Sequence, residues 1–305
     1  MKVVTAEIQA TKAIGVREKL AAYLELTKPR IAFMLVMTSA AGFYLGAPDN
    51  FKVLLFINSM LGIALLAFGV ATLNQVWERK TDALMTRTAK RPLPSQKLSF
   101  TEALVFGVSL CVVGEIYLAF LVNGLTAFLG LIVIVGYVLL YTPLKTRTSA
   151  STAIGAIPGA LPPLMGWTAS ADEISLGAWA LFAILFLWQF PHFLAIAWMY
   201  KEEYAKAGIL MLPVIEPEGK ITARQIVIFA VLLLPVSLSP FFIPNFFNES
   251  AGLVYLVGAS LLGVWFLTAS IRAARAKTVE QARKLLLVSV IYLPIIFALL
   301  VFTHK

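Results

Sequence analysis

Long apolar runs recur along the whole chain, and the short segments between them carry most of the charged residues. An α-helix needs roughly 20 mostly apolar residues to cross the hydrocarbon core of a bilayer. The pattern predicts about nine such helices. They are residues 31–45, 53–76, 100–122, 125–142, 152–168, 176–199, 226–243, 253–271 and 285–302. Short alternating segments, which would indicate a transmembrane barrel, are absent from the sequence. The pattern therefore predicts an all-α, polytopic membrane protein.

Lysine and arginine concentrate in alternate connections between the predicted helices. The segment before the first helix is basic, and so are the connections after the second, fourth, sixth and eighth helices. On the opposite side only Lys52 and Lys305 interrupt this bias. Cytoplasmic loops of membrane proteins carry such an excess of positive charge. The sequence therefore predicts a cytoplasmic N-terminus and a C-terminus on the other side, and its net charge of +9 does not imply a nucleic-acid partner.

Residues 1–30 are predicted to form a cytoplasmic amphipathic arm ahead of a single transmembrane domain at residues 31–305. The arm lacks the apolar centre and cleavage site of a signal peptide. Its acidic residues Glu7, Glu18 and Glu25 also argue against an organelle transit peptide. The expected location is therefore a bacterial plasma membrane, in preference to a mitochondrial inner membrane.

Composition supports the membrane prediction and narrows the chemistry. Hydrophobic residues make up 60% of the 305 residues and charged residues only 13%, whereas soluble domains carry about 25% charged residues. The single cysteine, Cys111, excludes an intramolecular disulfide framework. The sequence has no nucleotide-binding glycine loop after a strand, no Cys/His metal spacing and no assignable Ser/His/Asp set.

One amide and two carboxylates stand at the end of the second predicted helix. Asn74, Glu78 and Asp82 are four residues apart, so they share one face of a continuing helix. Hard oxygen donors of this kind suit Mg²⁺ that holds a phosphate. A helix end with solvated charges would contain the same residue types. The shared face and the position at the membrane boundary favour a diphosphate site.

Cations follow this acidic group on the same predicted side of the membrane. Arg87 and Arg91 lie in the next loop, and Lys145 and Arg147 lie in the loop after the fourth predicted helix. Arginine offers a planar fork that matches phosphate oxygens. Because the sequence has no glycine loop for phosphate, recognition of a diphosphate would depend on these cations together with Mg²⁺.

The fifth and sixth predicted helices contain unusual residues. Glycines and prolines between Gly155 and Pro163 predict an interrupted or kinked helix that lines a cavity, or simply a close helix contact. Gln189 and His192 lie inside the sixth helix, where a polar side chain should face the protein interior. His192 could ligate a metal such as a haem iron, act as a base or hydrogen-bond to a neighbouring helix. Glu115 is a further ionisable residue, in the third predicted helix.

Several motifs together resemble the UbiA superfamily of intramembrane prenyltransferases, and within it the protohaem IX farnesyltransferase (haem O synthase) branch. The resemblance covers roughly residues 27–213. The motifs are Asn74-x-x-x-Glu78-x-x-x-Asp82 with Arg87 and Arg91-Pro-Leu, Tyr141-Thr-Pro-Leu-Lys145, the glycine–proline segment, Trp188-Gln189-x-Pro-His192, and Glu203-Tyr204-x-x-Ala-Gly.

Three departures from related patterns affect the interpretation. Many relatives have aspartate where Glu78 stands, and the family often has asparagine at the position of Ser151. Quinone-type enzymes of the superfamily carry a second aspartate-rich motif after the sixth helix, but this chain reads Lys201-Glu202-Glu203 there. The third departure weakens the expectation of a second identical Mg²⁺ site and favours the haem branch.

The resemblance implies transfer of a farnesyl group from farnesyl diphosphate to the 2-vinyl group of haem B with addition of water, which gives haem O and diphosphate. It implies that Asn74, Glu78 and Asp82 hold Mg²⁺ and that the cations neutralise the leaving group. The farnesyl tail is expected in an apolar groove formed by the fourth to sixth helices. The haem-binding residues would be His192, Tyr141, Trp188, Gln189 and Glu203, and a downstream haem-modifying enzyme could receive the product.

Other functions are compatible with parts of the sequence. A sister prenyltransferase that acts on a quinone precursor or another aromatic acceptor would share the first motif, although the Trp-Gln-x-Pro-His stretch argues against it. A transporter would also have broken helices and buried polar groups. A haem carrier would bind haem without converting it.

Overall fold

Most of the described chain is helical. The structure is a computed structural model that describes residues 15–47 and 51–305. A π-helical segment, Val135–Tyr141, and a 3₁₀ turn, Ser239–Phe242, connect α-helices. The α-helices are α1 (Val16–Leu26), α2 (Pro29–Gly46), α3 (Val53–Asp82), α4 (Phe100–Leu121), α5 (Gly124–Ile134), α6 (Thr142–Leu144), α7 (Ser151–Ala171), α8 (Leu176–Met199), α9 (Lys201–Lys206), α10 (Leu212–Ile215), α11 (Lys220–Leu238), α12 (Glu249–Ala276) and α13 (Val279–Thr303).

The predicted membrane segments coincide with the long helices. Within the described residues, 7 helical segments are long and apolar enough to cross a membrane. Two further long helices, α2 and α7, correspond to the first and fifth predicted spans but are not among these segments. Most of α7 is buried against other helices, so it does not need a uniformly apolar surface for lipid. The all-α, multi-pass prediction is confirmed, and the count of nine spans and the cytoplasmic N-terminus stay predictions.

Helix α7 packs against α2, α5 and α8. The other long helices pack in the pairs α3–α4, α8–α13 and α11–α12. The contact between α2 and α7 is very close. The hydroxyl of Ser39 in α2 donates to the Pro162 carbonyl oxygen of α7 at 2.8 Å. A Cβ at Gly166 would lie 1.8 Å from the Ser39 carbonyl oxygen, so only glycine fits there.

Replacement of Gly166 by alanine is therefore expected to destabilise the helix pair α2–α7. The new methyl group cannot be accommodated by a side-chain movement because it meets backbone atoms. We expect a loss of about 3 kcal/mol in the free energy of unfolding, measured as a lower thermal midpoint in detergent. Gly124→Ala is the matched control, because a Cβ added at Gly124 would have no neighbouring atom within 4 Å. Equal midpoints for the two variants would contradict the packing argument.

Of the alternatives for the fifth span, the structure shows close helix contacts at Gly155 and Gly159 and no interruption of α7. Helix α7 runs without a break from Ser151 to Ala171 with three prolines inside it. Irregular helix occurs at the end of the fourth predicted span, in the π-helical segment Val135–Tyr141. There Gly136 packs against the ring of Pro158. The backbone irregularity thus lies beside the prolines of α7 and not within that helix, and it immediately precedes Thr142 and Lys145.

The described part of the N-terminal arm is docked on the start of the helical bundle. Ala22 and Leu26 of α1 are buried in a cluster with Leu93 and Leu98 of the loop between α3 and α4. The side-chain amide of Gln75 in α3 donates to the Leu26 carbonyl oxygen at 3.0 Å. Consequently the turn between α1 and α2 is fixed against the same helix that carries the predicted acidic group.

Candidate active site

Three loops meet at one end of the bundle. The Leu210 backbone N–H donates to the Lys145 carbonyl oxygen at 2.8 Å, which joins the loop after α9 to the loop after α6. The Arg87 backbone N–H donates to the Glu203 carboxylate at 3.3 Å, which joins the loop after α3 to α9. Met85 is also buried in a cluster with residues of α8 and of the loop after α9. The loops that the sequence placed on one side of the membrane therefore form one surface.

Helix α3 carries the predicted acidic group on its last two turns. The helix is continuous to Asp82, so Asn74, Glu78 and Asp82 share a face as their spacing predicted. Asn74 and Asp82 are each only 1% exposed. Glu78 is also largely shielded from solvent. These polar side chains are buried too deeply for a solvated helix end, so the structure favours a binding site over that alternative.

Each of the three side chains contacts a different cation. The Lys28 ammonium donates to Asn74 Oδ1 at 2.7 Å. Lys145 Nζ lies 2.5 Å from a Glu78 oxygen. One guanidinium nitrogen of Arg91 lies 2.8 and 2.7 Å from the two carboxylate oxygens of Asp82. Three cations thus face two carboxylates and one neutral amide, which gives this cluster an excess of positive charge.

Hydrogen bonds fix the orientation of the Asn74 amide. The Thr142 hydroxyl donates its only hydrogen to the Tyr137 carbonyl oxygen at 2.7 Å, across the wide turn of the π-helical segment. The same hydroxyl oxygen must then accept from Asn74 Nδ2, 3.2 Å away. Asn74 Oδ1 is therefore turned towards Lys28, and it is the atom available to a cation.

The two lysines of the cluster, Lys28 and Lys145, lie outside the membrane-spanning segments, and their pKa values are shifted in opposite directions. Burial lowers the pKa of Lys28 to about 8, although the nearby Glu78 carboxylate opposes this effect. Burial also acts to lower the pKa of Lys145, but the Glu78 carboxylate reverses the effect and holds that pKa well above its usual value. The Lys145 ammonium also lies 4.3 Å from the centre of the Tyr141 ring. Lys145 is therefore a permanent cation at neutral pH.

The structure separates the other two predicted cations from this cluster. Arg87 is exposed and lies over the ring of Tyr200, at 5.0 Å from its centre. Arg147 is also exposed, and its side chain makes no hydrogen bond or ion pair within residues 15–47 and 51–305. Glu203 contacts the backbone of Arg87 and not the acidic group. These three residues border the site, whereas Arg91 and Lys145 lie inside it.

The donor set fits Mg²⁺ that is bound together with a diphosphate. No group of three or more His, Cys, Asp or Glu in the described part of the chain could hold a metal ion by itself. Mg²⁺ commonly uses one or two carboxylates and takes its remaining ligands from water and substrate phosphates. Glu78, Asp82 and Asn74 Oδ1 supply this kind of partial ligand set, and the cations that now contact them have long, flexible side chains.

The polar residues of α8 face two different helices. Gln189 Nε2 donates to the Ala156 carbonyl oxygen of α7 at 3.1 Å. Trp188 Nε1 donates to the Ser289 carbonyl oxygen of α13 at 2.8 Å, and its rings stack on the imidazole of His192 at 4.5 Å. His192 Nδ1 lies 2.8 Å from the Ser289 hydroxyl. Trp188 and His192 thus form one unit between α8 and α13.

The hydrogen bonds of Ser289 determine which nitrogen of His192 carries the proton. The Ser289 hydroxyl donates its only hydrogen to the Leu286 carbonyl oxygen at 2.6 Å. His192 Nδ1 must therefore donate to the hydroxyl oxygen, so it carries the ring proton. Nε2 is then an unprotonated acceptor, and it has no hydrogen-bond partner among the residues that the structure describes.

Two apolar cavities lie along the helices. One, of about 470 Å³, lies between α2 and α13 and includes Met37, Tyr44 and Phe297 in its lining. A second, of about 300 Å³, lies between the fourth and fifth predicted spans, where Gly136 and Pro158 meet. Glu115 lines neither cavity, and its buried Oε1 has no hydrogen-bond partner within the described chain. Nothing in its surroundings connects Glu115 to the charged cluster.

Sequence reasoning missed residues that complete the site. In the sequence, Lys28 was only one of the basic residues of the arm, and Thr142 was only part of the motif Tyr141-Thr-Pro-Leu-Lys145. Tyr204, also part of a motif, is partly buried near the charges of Arg87, Lys145 and Glu78, and burial raises the pKa of its phenol. The position of Lys28 directly before Pro29, at the start of a helix, was the available signal that its backbone is held in a defined place.

Comparison with known proteins gives one consistent family. A sequence model of the UbiA prenyltransferase family matches residues 35–298. The chain is 48% identical to the protoheme IX farnesyltransferase of Solibacter usitatus (strain Ellin6076), over 91% of this chain and 97% of that protein. It is 43% identical to the protein of the same name from Koribacter versatilis (strain Ellin345), over 94% of each. A third such protein, from Salinibacter ruber, is 44% identical over 91% of this chain and 96% of the relative.

Solved structures show the same fold at low sequence identity. A digeranylgeranylglyceryl phosphate synthase superposes with a TM-score of 0.77 at 19% identity, over 94% of this chain and 98% of that one. A UbiA homologue from Archaeoglobus fulgidus, bound to GPP and Mg²⁺, superposes with a TM-score of 0.69 at 17% identity. That alignment covers 92% of this chain and 99% of the homologue. At least one protein with this fold thus binds a prenyl diphosphate together with Mg²⁺.

Proposed function

Because the chain belongs to the UbiA prenyltransferase family, we propose that it transfers the farnesyl group of farnesyl diphosphate to the 2-vinyl group of haem B, with addition of water. The products are haem O and diphosphate. The observation that carries this proposal is the buried cluster in which Asn74, Glu78 and Asp82 are each in contact with a cation. The relatives named for this reaction support the choice of haem as acceptor. A bacterial plasma membrane is the proposed location.

The charged cluster would act on the diphosphate. Asn74, Glu78 and Asp82 would hold Mg²⁺, which supplies positive charge opposite the leaving group. Lys145 and Arg91 contact the carboxylates in the structure and can turn to phosphate oxygens without moving the backbone, because their side chains are long. They would stabilise the negative charge that builds up on the diphosphate as the allylic C–O bond breaks. Arg87 and Arg147, at the border of the site, would contribute to attraction of the substrate.

Aromatic rings beside the cluster would stabilise the other half of the breaking bond. The rings of Tyr137 and Tyr141 lie edge to face with centres 4.8 Å apart. Tyr141 already accommodates the Lys145 ammonium at 4.3 Å, so its face can receive a cation. A farnesyl cation formed next to this ring would gain a similar interaction. The apolar surroundings of the fourth to sixth spans would exclude water from it.

His192 would position the haem. Its Nε2 is unprotonated because Nδ1 donates to Ser289, and this is the form in which imidazole ligates iron. Trp188 restrains the ring by stacking on it. His192 lies five residues before Ala197 in α8, and Ala197 packs with Met85 of the loop surface. His192 is therefore about 7.5 Å deeper along α8 than that surface. The haem would thus lie in the membrane below the charged cluster, with Gln189 fixing α8 against α7.

We expect the variant His192→Ala to lose the axial-imidazole absorption spectrum of bound haem while its affinity for farnesyl diphosphate is unchanged. Ser289→Ala, which removes the partner of Nδ1, should weaken haem binding by about 10- to 100-fold. The chain has 2 histidines, so His304→Ala is the natural control. An unchanged haem spectrum in His192→Ala would show that another residue ligates the iron.

The proposed function is tested by one incubation. Purified protein in detergent is mixed with haem B, farnesyl diphosphate and Mg²⁺, and the extracted haem is analysed by mass spectrometry. A hydroxyfarnesyl adduct that is absent when Mg²⁺ is chelated supports the proposal. Diphosphate release without modified haem would indicate a quinone-type or other aromatic acceptor. Haem or prenyl diphosphate that is bound but unchanged would indicate a carrier or a transporter.

A further inference from the structure

Lys28 reaches the charged cluster from the turn between α1 and α2. Its ammonium donates to Asn74 Oδ1 at 2.7 Å. The charges of Glu78 and Asp82 lie close enough to act on it. The function proposed above assigns no role to Lys28, although this lysine is as close to the proposed metal ligands as Lys145 and Arg91 are.

The backbone of the turn is held in an unfavourable conformation that places this side chain. Lys28 has φ 48° and ψ 59°, the left-handed region that non-glycine residues rarely adopt. The next residue, Pro29, begins α2. Gln75, the neighbour of Asn74 on α3, donates to the Leu26 carbonyl oxygen at 3.0 Å. Such a conformation persists only where surrounding contacts impose it, and it is typical of functional positions.

The partner of Lys28 differs from those of the other two cations. Lys145 contacts the Glu78 carboxylate and Arg91 contacts the Asp82 carboxylate. In the described chain Lys28 makes no ion pair, and its hydrogen bond goes to a neutral amide. A partly buried ammonium without a carboxylate partner is destabilising, and it is stabilised when an anion enters the site. An ammonium has three donors, so Lys28 retains two for that anion.

We propose that Lys28 is a third ligand of the substrate diphosphate, held on Asn74 until farnesyl diphosphate binds. This proposal rests on the proposed function for the identity of the anion. Lys28 donates to phosphate oxygens from the α1–α2 side, and Lys145 and Arg91 do so from the opposite loops. The α1–α2 turn is thereby part of the active site, and Asn74 Oδ1 becomes available to the metal when the ammonium moves to the phosphate.

The test combines kinetics with a binding measurement that does not depend on turnover. We expect Lys28→Gln to raise the KM for farnesyl diphosphate at least tenfold and to leave the KM for haem B unchanged. Calorimetric titration with inorganic diphosphate and Mg²⁺ should show a similar loss of affinity. Lys28→Met is the second variant, and it should fold even where the glutamine variant does not, because its apolar side chain leaves no polar group that needs a hydrogen-bond partner. Lys97→Gln, which removes an ion pair between the same arm and the bundle, is the matched control.

The outcomes separate this inference from the proposed function. Unchanged diphosphate affinity in both Lys28 variants overturns the role of Lys28 and leaves the farnesyl transfer intact. An equal rise in both KM values also overturns it, because it indicates a purely structural contact. If the wild-type protein farnesylates no haem, and the Lys28 variants bind diphosphate more weakly than the wild type does, the acceptor assignment fails and the assignment of Lys28 holds.

Discussion

Turnover per folded molecule is expected to fall by about 10³-fold when Asp82 is replaced by asparagine. The substitution keeps the shape of the side chain and one oxygen that can accept from Arg91. It removes the negative charge that would hold Mg²⁺ at the end of α3. Because the effect falls on the leaving-group step, kcat should decrease much more than the affinity for haem. Haem O formation per mole of folded protein, measured by mass spectrometry, gives the result.

The matched control for Asp82→Asn is Glu280→Gln. Glu280 forms an exposed ion pair with Lys284 on the same helix, and such pairs contribute little to stability. Its replacement makes the same carboxylate-to-amide change at an exposed position outside the cluster, and turnover should stay normal. The thermal midpoint of Glu280→Gln should remain near that of the wild type, whereas that of Asp82→Asn should fall, because the mostly buried Arg91 guanidinium loses its carboxylate partner. Near-normal turnover by folded Asp82→Asn would remove Asp82 from the metal site.

The helix periodicity predicted the core of the site from sequence. Asn74, Glu78 and Asp82 face one way because a spacing of four residues returns to the same side of an α-helix. Their spacing holds in the structure because α3 continues unbroken through Asp82. The apolar runs likewise predicted the long helices, because spanning a bilayer demands length and apolarity of each helix by itself. Rules that depend only on neighbouring residues were therefore enough to predict both the shared face and the long helices.

Contacts between residues that are distant in the sequence could not be predicted from the same rules. Lys28 contacts Asn74, which is 46 residues away, through a left-handed turn that no local pattern required. His192 faces Ser289 of α13 because of how α8 and α13 pack. Lys145 and Arg147 lie in the turn after α6, where helix periodicity does not apply, so the sequence could not show that Lys145 enters the cluster and Arg147 is exposed.

The glycines and prolines between Gly155 and Pro163 had more than one interpretation. They predicted an interrupted or kinked helix, or simply a close helix contact. Helix α7 remains continuous there, and the wide turns occur at Val135–Tyr141, in an apolar stretch without proline. Packing of Gly136 against Pro158 links the two segments. The close helix contact is thus confirmed by the packing at Gly155 and Gly159, whereas no interruption occurs in α7.

The ion pair between Glu78 and Lys145 offers a test that separates a structural from a catalytic role. Each single variant, Glu78→Gln or Lys145→Gln, leaves the other charge largely buried without its partner. We expect either change to lower the free energy of unfolding by about 3 kcal/mol and to reduce turnover by about 10²- to 10³-fold. Thermal midpoints in detergent and haem O formation are the two measurements.

The double variant Glu78→Gln with Lys145→Gln decides between the two roles. Removal of both charges also removes the unpaired buried charge, so most of the lost stability should return. Turnover should stay as low as in the single variants, because the metal ligand and the diphosphate ligand are both absent. A purely structural ion pair would instead let activity recover together with stability. Recovery of turnover in the double variant would therefore refute the assignment of these two residues to the leaving-group step, whereas recovered stability without turnover would support it.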